Sequence, residues 1–250
     1  VIPAPLVAAI TAIGLDHTKE LGDTYGKIAK TKAGIIKPGC RVVFYGENDE
    51  AEKEIRTVCE AAGCHITIPD FENINIISSD ITGSLFNMSG HMQLKIKLIG
   101  DYQIKNAATA VTVLDELKKS GIEISEMCLK QGLLEAKWPG RFEILSENPV
   151  FISDGAHNIH GMNAAADNIK KIFNGQKVAV IMGVMADKDY REMLEIIKPV
   201  VSKMYSVTPD NPRALSADDL ADAAKKIGID CISCDTVRQA VSIAVNEQGA

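Results

Sequence analysis

No stretch of this 250-residue chain reaches the roughly 18 consecutive apolar residues that a membrane-spanning helix needs. Val1-Ile2-Pro3-Ala4-Pro5 sets no basic region before an apolar run, so the pattern of a secretory signal is missing as well. Runs of Lys or Arg are absent and the formal net charge is −6. The basic face that supplies most nucleic-acid affinity is therefore lacking. Internal repeats and low-complexity segments are not found. The hydrophobic share of 46% and charged share of 24% are ordinary for a globular protein, which excludes disorder or coiled coil as a description of the whole. A cytoplasmic protein without nucleic-acid or membrane partners is expected.

Cysteine is sparse and unpatterned. Cys40, Cys59, Cys64 and Cys128 are scattered among apolar segments and read as reduced, buried thiols. Cys231-Ile-Ser-Cys234 has metal or redox spacing, but a structural zinc site needs a second Cys or His pair, and none stands nearby. Phosphate loops are missing too. A Walker A loop requires G-x-x-x-x-G-K-[ST], so that backbone amides cradle the phosphates and a hydroxyl reaches magnesium. Gly22-Asp-Thr-Tyr-Gly26-Lys27-Ile28 is one residue short and has no hydroxyl after the lysine. G-x-G-x-x-G follows none of the strand-like runs, which leaves a dinucleotide site without support.

What is present is strand–helix alternation. Val150–Ser153, Lys177–Met182, Met204–Val207 and Ile229–Ile232 are short apolar runs suited to buried strands. Helical spacing separates them. Met162, Ala165, Ala166, Ile169 and Ile172 form one apolar stripe, and Met193, Ile196, Ile197 and Val200 another. A third helix opens at Ser216 with Asp219 in an S-x-x-D capping pattern and closes at Gly228. Val237, Ala240, Val241 and Ala244 mark the last. This order predicts βαβ units in a doubly wound, Rossmann-like parallel sheet over residues 148–250.

The front half is mixed. Leu6–Ile13 reads as a buried strand, Thr24–Ala33 as a helix, Arg41–Tyr45 as a strand and Glu50–Ala62 as a helix. The period then changes to two: Met92, Leu94, Ile96 and Leu98 alternate with polar residues and pair with Leu85–Met88 across Ser89-Gly90 as a β-hairpin. Ile104, Ala107, Ala108, Val111 and Leu114 mark a long helix. The fold class is thus α/β, with a mixed sheet, helices and a hairpin in residues 1–147. The boundary is set at the polar stretch Ser146–Pro149.

Four places could carry chemistry. Asp16-His17-Thr18 follows a buried strand, at the carboxyl end of a sheet where ligands bind, although a lone His there is as readily structural. Lys32, 15 residues on, suits the C-terminal end of a helix. Asp154-Gly155-Ala156-His157-Asn158 joins a strand to a helix, a junction fit for an anion or a ribose hydroxyl, or simply a tight turn with Asp as cap. Arg141, in Trp138-Pro139-Gly140-Arg141-Phe142, could pair with a phosphate or sit on the surface.

These segments occur in one order and wording. Ile10-Thr-Ala-Ile-Gly-Leu-Asp16-His17-Thr18, Lys32-Ala-Gly-Ile35, Gly100-Asp-Tyr-Gln103-Ile-Lys-Asn106, Pro139-Gly-Arg141-Phe142 and Asp154-Gly-Ala-His157-Asn158 together resemble folylpolyglutamate synthase/dihydrofolate synthase, of the Mur ligase superfamily. The resemblance is colinear from about residue 6 onward. It implies an incomplete Mur-ligase central domain followed by the Rossmann-like ligase domain. It also implies a reaction: ATP phosphorylates a carboxylate of a folate or pteroate, and the amino group of L-glutamate attacks the acyl phosphate to form an amide. Mg²⁺ would neutralise the phosphates.

Carried over by the resemblance, His17 is a magnesium ligand. Lys32 is a metal and catalytic residue as a carbamate, which turns a cation into the oxygen ligand that Mg²⁺ prefers. Asn106, Arg141 and Asp154 contact ATP, Gln103 positions its turn of helix, and His157 lies near the reacting carboxylate and incoming glutamate. Lys188 is a further candidate. Two parts of the family pattern fall outside residues 1–250: the phosphate loop with its acidic metal ligand upstream, and a Gly-Ser-containing strand downstream. The chain by itself is therefore expected to be inactive. A monomer is expected, with folate or pteroate, L-glutamate and ATP as its partners. The competing readings are another Mur-type amide ligase and a noncatalytic α/β binding module.

Overall fold

A computed structural model describes residues 3–15 and 21–248. The chain divides into two compact units, Val1–Lys137 and Trp138–Ala250.

In the first unit, β1 (Val7–Ile10), β2 (Arg41–Phe44) and β3 (Ile66–Thr67) form a parallel sheet in that order. Helix α1 (Tyr25–Lys32) joins β1 to β2, and α2 (Asp49–Ala62) joins β2 to β3. Each helix begins where a side chain takes up an orphan amide. Thr24 accepts from the amide of Lys27 at 3.2 Å and Asn48 from that of Ala51 at 2.9 Å. Asp49, Glu50 and Glu52 add negative charge to the first turn of α2, and Gly63 ends it with φ 63°. Ile28, Val42, Phe44, Ile55 and Cys59 are buried together between sheet and helices.

A second sheet is antiparallel: β4 (Asn75–Asp80), β5 (Gly83–Met88) and β6 (His91–Ile96). Helix α3 (Asp101–Lys119) and helix α4 (Glu126–Glu135) cover it, through Phe86, Leu94, Ile104, Val111, Leu129 and Leu133. The expected hairpin therefore supplies the central strand β5 and the edge strand β6 of a three-stranded sheet. Its alternation fails at one point. Gln93 has φ 55°, its amide donates to Asn87 Oδ1 at 2.7 Å, and Met92 turns out to solvent at 61% exposure. Buried His91 stands where the pattern expected no inward residue, with Nδ1 2.9 Å from Glu126 and Nε2 3.0 Å from Asp115.

Helix α3 runs antiparallel to β2. Near its start Lys105 pairs with Glu47, just past the carboxyl end of β2. Near its end buried Glu116 accepts from Arg41 Nη1 at 2.7 Å, from Thr67 Oγ1 at 3.0 Å and from Lys119 Nζ at 2.7 Å.

The second unit opens with an antiparallel hairpin, β7 (Glu143–Glu147) and β8 (Val150–Ser153). Ser146–Pro149, expected as a domain boundary, spans the turn of this hairpin, and its polarity is that of an exposed turn. Helix α5 (Ile159–Ile172) leads to β9 (Val178–Met182), α6 (Tyr190–Ile197) to β10 (Val201–Ser206), α7 (Ala217–Lys226) to β11 (Cys231–Ser233), and α8 (Val237–Gln248) follows. The parallel sheet has the order β11-β10-β9. Sequence reading expected β8 in that sheet as well, yet its ladder partner is β7. Ser216 caps α7 as expected, accepting from the amide of Asp219 at 3.1 Å. Cys231 and Cys234 are buried, and burial pushes both thiols up in pKa, whereas Cys128 is exposed rather than buried.

Candidate active site

Asp154, one residue past β8, organises the candidate residues of the second unit. Its Oδ2 accepts from the amide of Phe142 at 2.8 Å and its Oδ1 from the amide of Ala156 at 2.8 Å. The amide of Gly155 donates to the carbonyl of Gly140 at 2.7 Å, and the amide of Gly140 to Glu143 Oε2 at 2.8 Å. The loop after β8 is thus stitched to the turn before β7. The approach is close at Gly155, where a Cβ would stand 3.2 Å from the carbonyl oxygen of Gly140 and would need that oxygen to give by a few tenths of an ångström. Arg141 lies between two left-handed residues, Gly140 at φ 69° and Phe142 at φ 47°. A left-handed phenylalanine costs on the order of 1–3 kcal/mol, which its burial and its bond to Asp154 offset. The result is a turn whose backbone is held on both sides of Arg141.

The Asp154 carboxylate is exposed and keeps acceptor capacity beyond its two amide bonds. Asn158, not Asp154, is the cap of α5: its Oδ1 accepts from the amide of Gly161 at 2.8 Å. With no acidic residue in the first turn, this 14-residue helix directs its positive end at the loop that carries Asp154 and His157. His157 is exposed, and its Nδ1 lies 2.8 Å from the carbonyl of Gly155. A carbonyl only accepts, so Nδ1 is the donor in this bond. Lys188 lies in the loop after β9, where Asp187 pairs with Arg213 at 2.9 Å.

The candidate residues of the first unit lie at the opening of α3. Gly100, at φ 111°, starts the helix, and Gln103 is buried with its Oε1 accepting from Asn106 Nδ2 at 3.1 Å. Asn106 is exposed. Because α3 is antiparallel to β2, both residues lie toward the carboxyl edge of the β1–β3 sheet, the edge at which α/β sheets bind ligands. Lys105 and Glu47 pair there beside Phe71, a cluster that sequence reading missed because its members lie 58 residues apart. Lys32 ends α1, exposed. It is six residues past Gly26, about 9 Å along the helix axis. Gly26 abuts Glu50 at the start of α2, where a Cβ would come 2.8 Å from Glu50 Oε1. Among the described residues Lys32 makes no hydrogen bond to Gln103 or Asn106. His17 lies outside the described residues.

Comparison with known proteins finds matching domains, relatives and solved structures. The Mur ligase middle domain matches residues 2–114, and the Mur ligase glutamate ligase domain matches residues 140–250. A dihydrofolate synthase/folylpolyglutamate synthase of Bacillus subtilis (strain 168) is 33% identical over 227 residues, 88% of this chain and 53% of that protein. The folylpolyglutamate synthase of Lacticaseibacillus casei is 34% identical over 219 residues, 84% of this chain and 51% of that protein. The chain belongs to this family of Mur ligases. Among solved structures, Escherichia coli FolC in complex with DHPP and ADP superposes with a TM-score of 0.81 at 29% identity, over 98% of this chain and 56% of that one. The chain therefore spans about half the length of the family members it matches. No helix among the described residues is long and apolar enough to cross a membrane.

A metal ion of the family kind does not find its full ligand set among the described residues, where no group of three His, Cys, Asp or Glu could hold one. Lys32 as an ammonium cannot ligate a cation; only its carbamate supplies oxygen donors. No step through a metal is derived from these residues.

Proposed function

We propose that this chain forms the acceptor-side half of an ATP-dependent amide ligase that adds L-glutamate to a folate or pteroate. The observation that carries the proposal is the Asp154 lock. Two charge-assisted amide bonds hold the loop before α5 against the turn that bears Arg141, so an arginine, a carboxylate with spare acceptor capacity and a helix N-terminus share one preorganised surface. Such a surface suits a nucleotide whose ribose hydroxyl bonds Asp154 and whose phosphates meet Arg141. In this reading Asn106 serves as a nucleotide contact of the first unit and Gln103 holds Asn106 in place. His157 serves the reacting carboxylate and the incoming amine. Lys32 acts as a carbamate that, with His17, holds Mg²⁺; the ion would supply charge neutralisation to the phosphates. The protein works in the cytoplasm as a monomer. Family relatives named for binding ADP and DHPP support the substrate class.

The test has two arms. ADP binding to the 250-residue chain, followed by titration calorimetry, should weaken about tenfold in Arg141→Ala. In a full-length protein carrying this chain, ATP consumption should require both L-glutamate and a folate or pteroate. ATP turnover indifferent to both acceptors would overturn the ligase reading and favour a binding module. Because none of residues 1–250 forms a phosphate loop, the chain alone should release no phosphate above a no-enzyme control.

A further inference from the structure

Two thiols meet at the amino-terminal edge of the β1–β3 sheet, opposite the edge that carries the opening of α3. Cys40 immediately precedes β2, and Cys64 lies two residues before β3. Their Sγ atoms are 3.8 Å apart, across 24 residues of chain. Strand register explains the meeting. Val42 pairs with Ile66 in the parallel ladder, so stepping back two residues on each strand sets Cys40 beside Cys64, on the face that buries Val42. Lys37 holds both sulfurs. Its amide donates to Cys40 Sγ at 3.4 Å, and its carbonyl accepts from Cys64 Sγ at 3.2 Å. No group of three His, Cys, Asp or Glu among the described residues could hold a metal ion, so the chemistry on offer here is that of a dithiol.

The geometry suits a covalent bond. Neighbouring strands stand about 4.8 Å apart, inside the roughly 4.4–6.8 Å that a disulfide spans between Cα atoms. Each cysteine follows a left-handed glycine, Gly39 at φ 86° and Gly63 at φ 63°, with open space where a Cβ would stand. The chain leading into each strand therefore has room to adjust as the sulfurs close from contact to about 2.05 Å. Exposure divides the roles. Cys64 is partly exposed and Cys40 is 3% exposed, so a reagent from solution reaches Cys64 first. Desolvation, and then the hydrogen bond with Cys40, raise the Cys64 pKa, which makes its reaction slow rather than absent. Cys59 of α2 is the third thiol of the neighbourhood. It is buried, and burial pushes its pKa up to about 11, which keeps it protonated.

We propose that Cys40 and Cys64 are a reversible disulfide site, a redox modification that staples the start of β2 to the start of β3. The Cys64 thiolate attacks one sulfur of a low-molecular-weight disulfide and expels the other as a thiolate, leaving a mixed disulfide on Cys64. The Cys40 thiolate then attacks the Cys64 sulfur and expels the second small thiolate. One protein S–S bond forms, the small disulfide is reduced to two thiols, and the two protons of the protein thiols pass to the departing thiolates. In a reducing compartment such a bond is transient, which makes it a mark of oxidising episodes rather than a permanent cross-link.

Thiol mapping tests this without reference to activity. The natively folded 250-residue chain is incubated with oxidised glutathione, its remaining thiols are blocked by alkylation, and its peptides are mapped by mass. Cys40 should be joined to Cys64 in most molecules, and dithiothreitol should return both as free thiols. Exposed Cys128 is the internal control for reagent access and should carry glutathione as a mixed disulfide. Cys40→Ala should stop Cys64 at its mixed disulfide. Three results in the wild type would each overturn the proposal: glutathione retained on Cys64, a Cys59–Cys64 link, or Cys40 and Cys64 both free once Cys128 is fully modified. The wild-type map decides even where the variant folds poorly.

Discussion

The amide of Phe142 donates to Oδ2 of Asp154 at 2.8 Å, across twelve residues of chain, and that bond fixes the turn from which Arg141 departs. Asp154 is thus at once a candidate ligand contact and the fastening of its own neighbourhood.

Asp154→Asn should separate the two roles. The amide side chain keeps one acceptor oxygen, and its NH₂ group confronts the N–H of Phe142 or of Ala156. A lost charge-assisted bond costs roughly 1.5–3 kcal/mol. Chemical denaturation of the 250-residue chain should register a loss in that range. In a full-length protein the apparent KM for ATP should rise with little change in kcat, the signature of lost uniform binding. Unchanged stability together with a raised KM would mean that the fastening contributes nothing.

Gln103 and Asn106 should respond in different ways. Gln103 is buried and Asn106 exposed, although they hydrogen-bond to each other. Gln103→Ala should destabilise the chain by about 1–2 kcal/mol, through the lost bond and an emptied site. Asn106→Ala loses the same bond and leaves the buried Gln103 carbonyl without that donor, so it should cost about 1 kcal/mol, less than Gln103→Ala because it empties no buried site. In a full-length protein Asn106→Ala should raise the KM for ATP. The two measurements, denaturation and steady-state kinetics, must rank the variants in reverse order.

Lys32→Ala offers a contrast, because exposure at a helix end makes it nearly neutral for stability, within about 0.5 kcal/mol. If the carbamate operates, turnover in a full-length protein should nevertheless fall at least tenfold and recover in part with added acetate. An unchanged rate removes Lys32 from the catalytic group.

Glu116 makes stability depend on pH. Burial by itself would raise its carboxyl pKa, but hydrogen bonds from Lys119, Thr67 and Arg41 outweigh that and hold it below the ordinary glutamate range. A carboxylate lowered in the folded state stabilises above its unfolded pKa, and that contribution is lost as pH falls through the folded value. Wild type should therefore lose stability steeply below the usual glutamate range. Glu116→Gln should start lower by about 2 kcal/mol at neutral pH and show a shallower acid limb in urea titrations.

The alternating βα order of the second unit was legible because buried parallel strands and amphipathic helices each leave a period in the sequence. Strand β4 left none. Asn75-Ile-Ile-Ser-Ser-Asp80 is largely solvent-exposed along an edge, so nothing selects its residues for burial. Helix α4 was missed for a similar reason: Leu129 and Leu133 are its only buried residues. Met92 misled because a backbone irregularity at Gln93 cannot be foreseen from hydropathy. The motif Asp154–Asn158 read equally as a junction for a ligand and as a tight turn with Asp as cap. That its carboxylate is already engaged was invisible, since the partner is a backbone amide released by a left-handed Phe142. Likewise Lys105 and Glu47 meet only because α3 folds back along β2.

Helix α3 is pinned at both ends to one strand, by Lys105 to Glu47 just beyond β2 and by Glu116 to Arg41 at its beginning. Eleven residues of helix separate the two pins, about 16 Å of stiff rod. Asn106 rides one residue from the forward pin. Its position is consequently gauged by the length of β2 rather than by any loop, and a shift of that turn would have to break one pin or stretch the rod. The helix works as a spacer bar, and wear at its distant end, where Glu116 is buried, would be felt as misalignment at the other.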